Sequence, residues 1–220
     1  MPGPLPLVRI VWPGAVRFVS DAFPPIDAIE SAETPEDLAE VLELLEITGS
    51  LGAGTRAAYE ALPTAYRRAG PGAWAVLAPF VYPSRGRFSS PRRGALYVAR
   101  TEPVAEAEWC HHRERLVRDR GLARASVVAR RLAIDIGLSA SDARGTRSTH
   151  PELYDPAPGG TDTTRAIADA VDAPGIAYDS LRLEGGECLA VLGPDAVPGP
   201  AIEHGTVRLA WSAADGWTRR

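Results

Sequence analysis

Twenty-one glycines and twenty prolines cut the 220-residue chain into short apolar runs, and that punctuation narrows its possible folds more than any other feature. Residues 5–12 and 15–19 read as short β segments, followed by the stiff extended connection Phe23-Pro24-Pro25-Ile26. Residues 73–81 and 94–99, apolar and bounded by Pro or Gly, read as buried strands. Residues 127–136, 175–181, 187–192 and 206–212 add further strands. Against these stand three helices. The first is capped by Thr34, with Pro35 at its first position, Glu36 and Asp37 at its positive end, an apolar face of Leu38, Val41, Leu42 and Leu45, and Gly49 as its stop. The second opens at Thr101-Glu102-Pro103, closes at Gly121, and has Ala105, Trp109, His112 and Leu116 on one stripe. The third is a short amphipathic helix over 162–171. Strands outnumber helices too heavily for a doubly wound sheet, so the expected class is α+β, a compact mixed sheet with flanking helices.

The length fits one domain spanning 1–220, with 20–72 as a helical elaboration. With 45% hydrophobic and 24% charged residues and a net charge of -4, the composition is that of a globular chain and not of a polyanion binder. Every basic residue is Arg; Lys, Asn and Gln are absent. Without Lys there is no Walker A loop, no Schiff-base enzyme, no kinase catalytic lysine and no S-x-x-K acyl transferase. Cys110 and Cys188 form neither a C-x-x-C pair nor a zinc spacing with His, so no structural metal or disulfide scaffold is expected and a reducing cytoplasm fits. Met1 to Arg9 has no basic n-region and apolar stretch of a signal peptide. The uncharged run 69–84 is interrupted by Pro71, Pro79 and Pro83 and is too short to span a membrane.

Several tempting features carry no site. Gly49-Ser50-Leu51-Gly52-Ala53-Gly54-Thr55 looks like a phosphate loop, but it lacks the Lys, and 49–72 is expected to be a flexible linker. The seven arginines between Arg113 and Arg131 are interleaved with Glu114 and Asp119, which suits a solvated helix face and not direct nucleic-acid binding. His111 and His112 are adjacent on a helix and point in different directions, while His150 and His204 lack ligand spacing, so no metal is expected.

One ordered set remains. The basic turn 85–93 holds Gly86-Arg87-Phe88-Ser89, Tyr97 follows Arg87 by ten residues, and the helix-borne Glu108 follows Tyr97 by eleven. Near the C-terminal end stand Tyr178-Asp179-Ser180-Leu181-Arg182 and Gly185-Gly186-Glu187-Cys188. This pattern resembles the RES domain, and Val16-Arg17-Phe18-Val19-Ser20 with Phe23-Pro24-Pro25-Ile26 extends the resemblance over about 15–195. Thr48-Gly49 departs from the family's Thr-Asn, and Pro91-Arg92-Arg93 replaces a small Asp-Gly turn.

The resemblance implies an ADP-ribosyltransferase-like fold that binds NAD+ and cleaves its nicotinamide–ribose bond. It also implies a toxin of a type II toxin-antitoxin pair, held inactive by an Xre-type helix-turn-helix antitoxin. Outcomes across the family include NAD+ depletion, phosphorolysis, and transfer of ADP-ribose to a protein. The altered turn at Pro91 motivates an alternative, a degenerate RES module that binds NAD+ or a partner without turnover.

The residue types suit the chemistry. Nicotinamide departs as a neutral molecule from a cationic substrate, so positive charge develops on the ribose and a carboxylate stabilises it. Glu108 is expected to supply that carboxylate. Arg87 is expected to hold the pyrophosphate or the nicotinamide ribose side through its planar fork, with Arg17 as a second candidate. Tyr97 offers a ring for stacking, and Ser180 a hydroxyl to orient Glu108 or the dinucleotide.

Overall fold

The computed structural model describes residues 5–22, 26–154 and 160–220; Phe23-Pro24-Pro25 of the expected extended connection lies outside the described residues. The chain runs β1 (Leu7–Ser20), α1 (Asp27–Glu30), α2 (Pro35–Ile47), α3 (Thr55–Glu60), α4 (Ala73–Val81), β2 (Leu96–Ala99), α5 (Glu102–Asp119), β3 (Arg124–Asp142), α6 (Gly160–Ala170), β4 (Gly175–Asp179), β5 (Glu187–Val191), β6 (Ile202–Ser212) and β7 (Gly216–Arg219). The strands form one mixed sheet in the order β1-β2-β5-β4-β3-β6-β7. β1 also pairs antiparallel with β3 from Leu7 opposite Ser141 to Ser20 opposite Ala129, so the first five strands of that order close on themselves and β6–β7 extend outward from β3. The architecture is α+β, as the excess of strands implied.

Two apolar segments expected at the N-terminus are one strand. The ladder shifts register between Trp12 and Ala15, where Pro13-Gly14 supplies a bulge and the Gly14 amide donates to Asp135 Oδ1 at 2.8 Å. Strand β3 is longer than 127–136 at both ends, and its last residues, Ser141 and Asp142, pair in parallel with Ile176 and Ala177 of β4. That single parallel contact brings the end of β3 beside the strand that carries the late motif. Inside the closed strands lie Ile10, Trp12, Leu96, Leu132, Ile134, Ile136, Leu189 and Val191, all buried.

Helix α2 follows its sequence signals. Thr34 Oγ1 accepts from the Asp37 amide at 3.1 Å while Asp37 Oδ2 accepts from the Thr34 amide at 3.0 Å, a complete capping box, and Leu38 and Leu42 are buried. Two expectations are corrected. Residues 73–81 form helix α4, not a strand: Ala73, Val76, Leu77 and Val81 are its buried positions, a 3.6-residue spacing that a uniformly apolar run conceals. The segment 49–72, expected to be a flexible linker, contains α3 and a single 3₁₀ turn at Thr64–Tyr66, with Tyr59 1% exposed in the core shared with α1, α2 and α4. Among the described residues no helix is long and apolar enough to cross a membrane.

Candidate functional site

The late motif places its serine where strand β4 ends and the chain turns toward β5. Ser180 is 5% exposed. Its Oγ accepts from the backbone amides of Arg182 at 3.0 Å and Leu183 at 3.1 Å, which occupy the hydroxyl's acceptor positions. The one proton of the hydroxyl therefore points at Glu108 Oε1, 2.6 Å away. Glu108 must accept, and its other oxygen has no partner among the described residues.

Two features bring these side chains together. Helix α5 starts at Thr101 in extended conformation with Pro103 in its first turn, and buries Val104 and Ala105. Glu108 is one turn beyond Val104 and so lies on the same side of the helix. The turn between β4 and β5 packs onto that side because Gly186 has no side chain: a Cβ there would lie 2.7 Å from Val104 Cγ2 and 2.9 Å from the Leu183 carbonyl oxygen. The Thr101 side chain makes no capping hydrogen bond, although its position as the cap is correct. The expected stripe of α5 is also corrected in its second half. His112 and Leu116 are exposed, while Cys110 and Val117 are buried. The helix there leans on the terminal hairpin, with Trp109 6.2 Å from Trp217 and the Arg118 guanidinium 5.2 Å from the Trp211 ring, and β7 had no sequence signal of its own.

Arg87 lies within a box of rings. Its guanidinium carbon is 4.6 Å from the Tyr178 ring, 5.1 Å from Tyr154 and 5.2 Å from Phe88. Nε donates to the Leu153 carbonyl at 3.1 Å, and Nη2 donates to the same oxygen. Burial holds the guanidinium below its ordinary pKa. The bidentate fork expected for phosphate is thus turned onto the backbone of Leu153, which leaves Nη1 as the side chain's unengaged nitrogen among the described residues. Helix α6 clasps the turn from outside: Thr164 Oγ1 donates to the Arg87 carbonyl and Arg165 Nη1 to the Gly86 carbonyl at 3.2 Å.

The Tyr97 hydroxyl accepts from the Phe88 amide at 2.8 Å and donates to Ser89 Oγ at 3.1 Å, and Ser89 in turn donates to the Ser84 carbonyl at 2.9 Å. Burial raises the Tyr97 pKa. Gly86 makes this approach possible, since a Cβ there would lie 2.6 Å from Ser89 Oγ and 2.8 Å from the Tyr97 hydroxyl. Tyr97 therefore fixes the shape of the Arg87 turn through its hydroxyl. Arg17 Nη1 donates to the Tyr97 carbonyl at 3.1 Å, and its Nε is buried without a partner among the described residues. Burial lowers the Arg17 pKa to about 10. Arg17 thus supports the Tyr97 strand from within the sheet.

Other parts of the site had no role assigned to them from sequence. Tyr154 donates to the Ala143 carbonyl and to Asp179 Oδ2 at 3.2 Å, and Asp179 Oδ2 also accepts from the Gly145 amide at 2.8 Å. Cys188, opposite Tyr178 across β4–β5, is a buried thiol that burial, reinforced by the charge of Glu108, pushes up to about 12. A cavity of about 360 Å³ is lined by Arg147, Pro151, Tyr154, Leu181 and Arg182, within the lower range of small-molecule sites. A larger one, about 510 Å³ beside β3, β6 and β7, includes Trp211 but none of Glu108, Ser180, Arg87, Tyr97 or Arg17. Among the described residues no three His, Cys, Asp or Glu side chains come together as a metal-binding group.

Comparison with known proteins adds two findings. A family model described as the RES domain matches residues 64–212. Among solved structures, the crystal structure of the M. tuberculosis MbcT-MbcA toxin-antitoxin complex is similar at 17% identity, with 56% of this chain and 71% of that chain covered and a TM-score of 0.39. No curated protein matches the sequence.

Proposed function

The chain belongs to the RES domain family, and on that premise we propose that it binds NAD+ and cleaves the nicotinamide–ribose bond as the toxin of a toxin-antitoxin pair. The observation that carries the chemical part is the Ser180–Glu108 hydrogen bond of 2.6 Å, whose direction is set by the two amides on Ser180. A carboxylate oxygen held in this way keeps its orientation while the second oxygen is left for the substrate. As the bond to nicotinamide lengthens, the pyridinium takes the bonding electrons and leaves neutral. Positive charge then builds on the ribose, and a fixed carboxylate beside it lowers the barrier without having to reorganise. A general acid for the leaving group is unnecessary. Arg87, held in its box of rings, offers Nη1 toward the ribose side of the substrate, and Tyr97 keeps the Arg87 turn in place.

The antitoxin part of the proposal rests on family membership: an Xre-type helix-turn-helix protein that covers the proposed site is the expected partner. Purified protein freed of its antitoxin should release nicotinamide from NAD+, and Glu108→Ala should abolish release while circular dichroism and melting temperature stay those of the parent. Equal release by that variant would remove Glu108 from the mechanism. Product masses from reactions in phosphate and in non-phosphate buffer distinguish water, phosphate and protein as acceptors of ADP-ribose.

A further inference from the structure

We propose that Arg147 and Arg182 form a diphosphate clamp beside Ser180, so that the cavity they line holds the phosphate bridge of a dinucleotide. The inference rests on the NAD+ reading above and deepens it. Each phosphate of that bridge carries a negative charge, and Glu108 adds another nearby, so the bridge needs cations with free donors. Arg87 does not meet the need: its Nε and Nη2 are both committed to the Leu153 carbonyl.

Arg147 and Arg182 do meet it. They come from different loops, one after β3 and the other between β4 and β5, and line the same cavity of about 360 Å³ with Tyr154 and Leu181. Both are exposed, and among the described residues neither has a carboxylate within ion-pair distance. Both are also anchored. The Arg182 amide donates to Ser180 Oγ, so its side chain leaves a backbone fixed to the residue that orients Glu108. The Arg147 guanidinium carbon lies 5.3 Å from the Tyr154 ring, the ring that also faces Arg87 at 5.1 Å, and the Tyr154 hydroxyl is fixed by Asp179. One aromatic residue therefore spaces the half-buried guanidinium of the reacting end from an exposed one that can meet a phosphate. Two planar forks of this kind match phosphate oxygens better than point charges would.

The test compares Arg147→Ala, Arg182→Ala and the double variant with the parent protein. Nicotinamide release is followed with NAD+ and with nicotinamide riboside, which has the same scissile bond and no phosphate. Each single variant should lose about tenfold in kcat/KM on NAD+, as expected for a charge-assisted contact, and the double variant more. Nicotinamide riboside should be cleaved equally by all. Equal loss on both substrates, or undiminished NAD+ cleavage by the double variant, overturns the clamp. Calorimetry with ADP provides an arm independent of turnover: the parent should bind ADP and the double variant at least tenfold more weakly. If no protein cleaves NAD+ but this ADP difference appears, the cleavage reading fails and the clamp stands. If the parent binds no ADP, the clamp fails. Inorganic phosphate separates the remaining source of the same chemistry, because variants that lose only phosphate-dependent rate while keeping the parent's KM for NAD+ would assign these arginines to free phosphate and overturn the proposal.

Discussion

The acidic side of the proposed site, Ser180 with Glu108, and its cationic side, Arg87 with Arg147 and Arg182, are built in different ways. On the acidic side each donor and acceptor of Ser180 is assigned, the serine is buried, and Gly186 lets the turn press against α5. On the cationic side Arg87 is boxed in by rings, whereas Arg147 and Arg182 stand exposed at the rim. The difference follows from distance dependence. Stabilising a charge that appears on one ribose requires an oxygen fixed to a fraction of an ångström. Attracting phosphates requires charge, which acts over a Debye length of about 8 Å at physiological salt.

The strongest challenge to that contrast is Glu108→Ala, expected to lower kcat by about 10³-fold, the range seen when a fixed electrostatic contact to the transition state is removed. Ser180→Ala should come next. It frees Glu108 to rotate and leaves the Arg182 and Leu183 amides without their acceptor, for about 1–3 kcal/mol of stability by urea denaturation and about 10²-fold in kcat. Gly186→Ala should act in the same direction with both chemical groups intact, about tenfold in kcat, because the added Cβ pushes the turn off Val104. A parent-like rate in this variant would mean that the acidic side tolerates displacement. Raising salt from 50 to 500 mM should raise KM for NAD+ several-fold and leave kcat unchanged, since screening weakens the exposed arginines and not the buried pair. A fall in kcat with constant KM would invert the comparison.

The smallest effect concerns the thiols behind the acidic side. Burial pushes Cys188 and Cys110 each from an ordinary value of 9.0 to about 12. The folded chain therefore holds these protons more tightly than the unfolded one. The resulting stabilisation is complete below pH 9 and is lost as pH rises through 12. The urea midpoint of the parent should fall between pH 8 and 10.5, and Cys188→Ala should show a shallower fall over the same interval.

Much of this was legible in the sequence where local chemistry fixes local shape. Thr34, Pro35 and Asp37 specify α2 because a capping box is a contact between near neighbours. The spacings between Arg87, Tyr97 and Glu108 grouped the three as one expected site only through their resemblance to the RES domain, since a turn, a strand and a helix separate them. What stayed hidden depends on residues far apart in sequence. Residues 73–81 are apolar on every side, so periodicity could not separate helix from strand. The Leu153 carbonyl that occupies Arg87 is 66 residues away from it, and no side-chain pattern marks a backbone oxygen as an acceptor. Tyr178 and Arg182 stood within the late motif without a role, since a ring's partner and a guanidinium's freedom are properties of packing. Arg147 and Tyr154 sit in a loop with no period at all.

Helix α5 presents Trp109 immediately after Glu108, and that indole meets Phe18 at 6.4 Å and Trp217 at 6.2 Å. A tilt of the helix as ligand settles on the carboxylate would change the environment of these rings, which lie about 100° around the same helix. Such a tilt would be read as a shift in Trp emission wavelength on addition of NAD+, without attaching a dye.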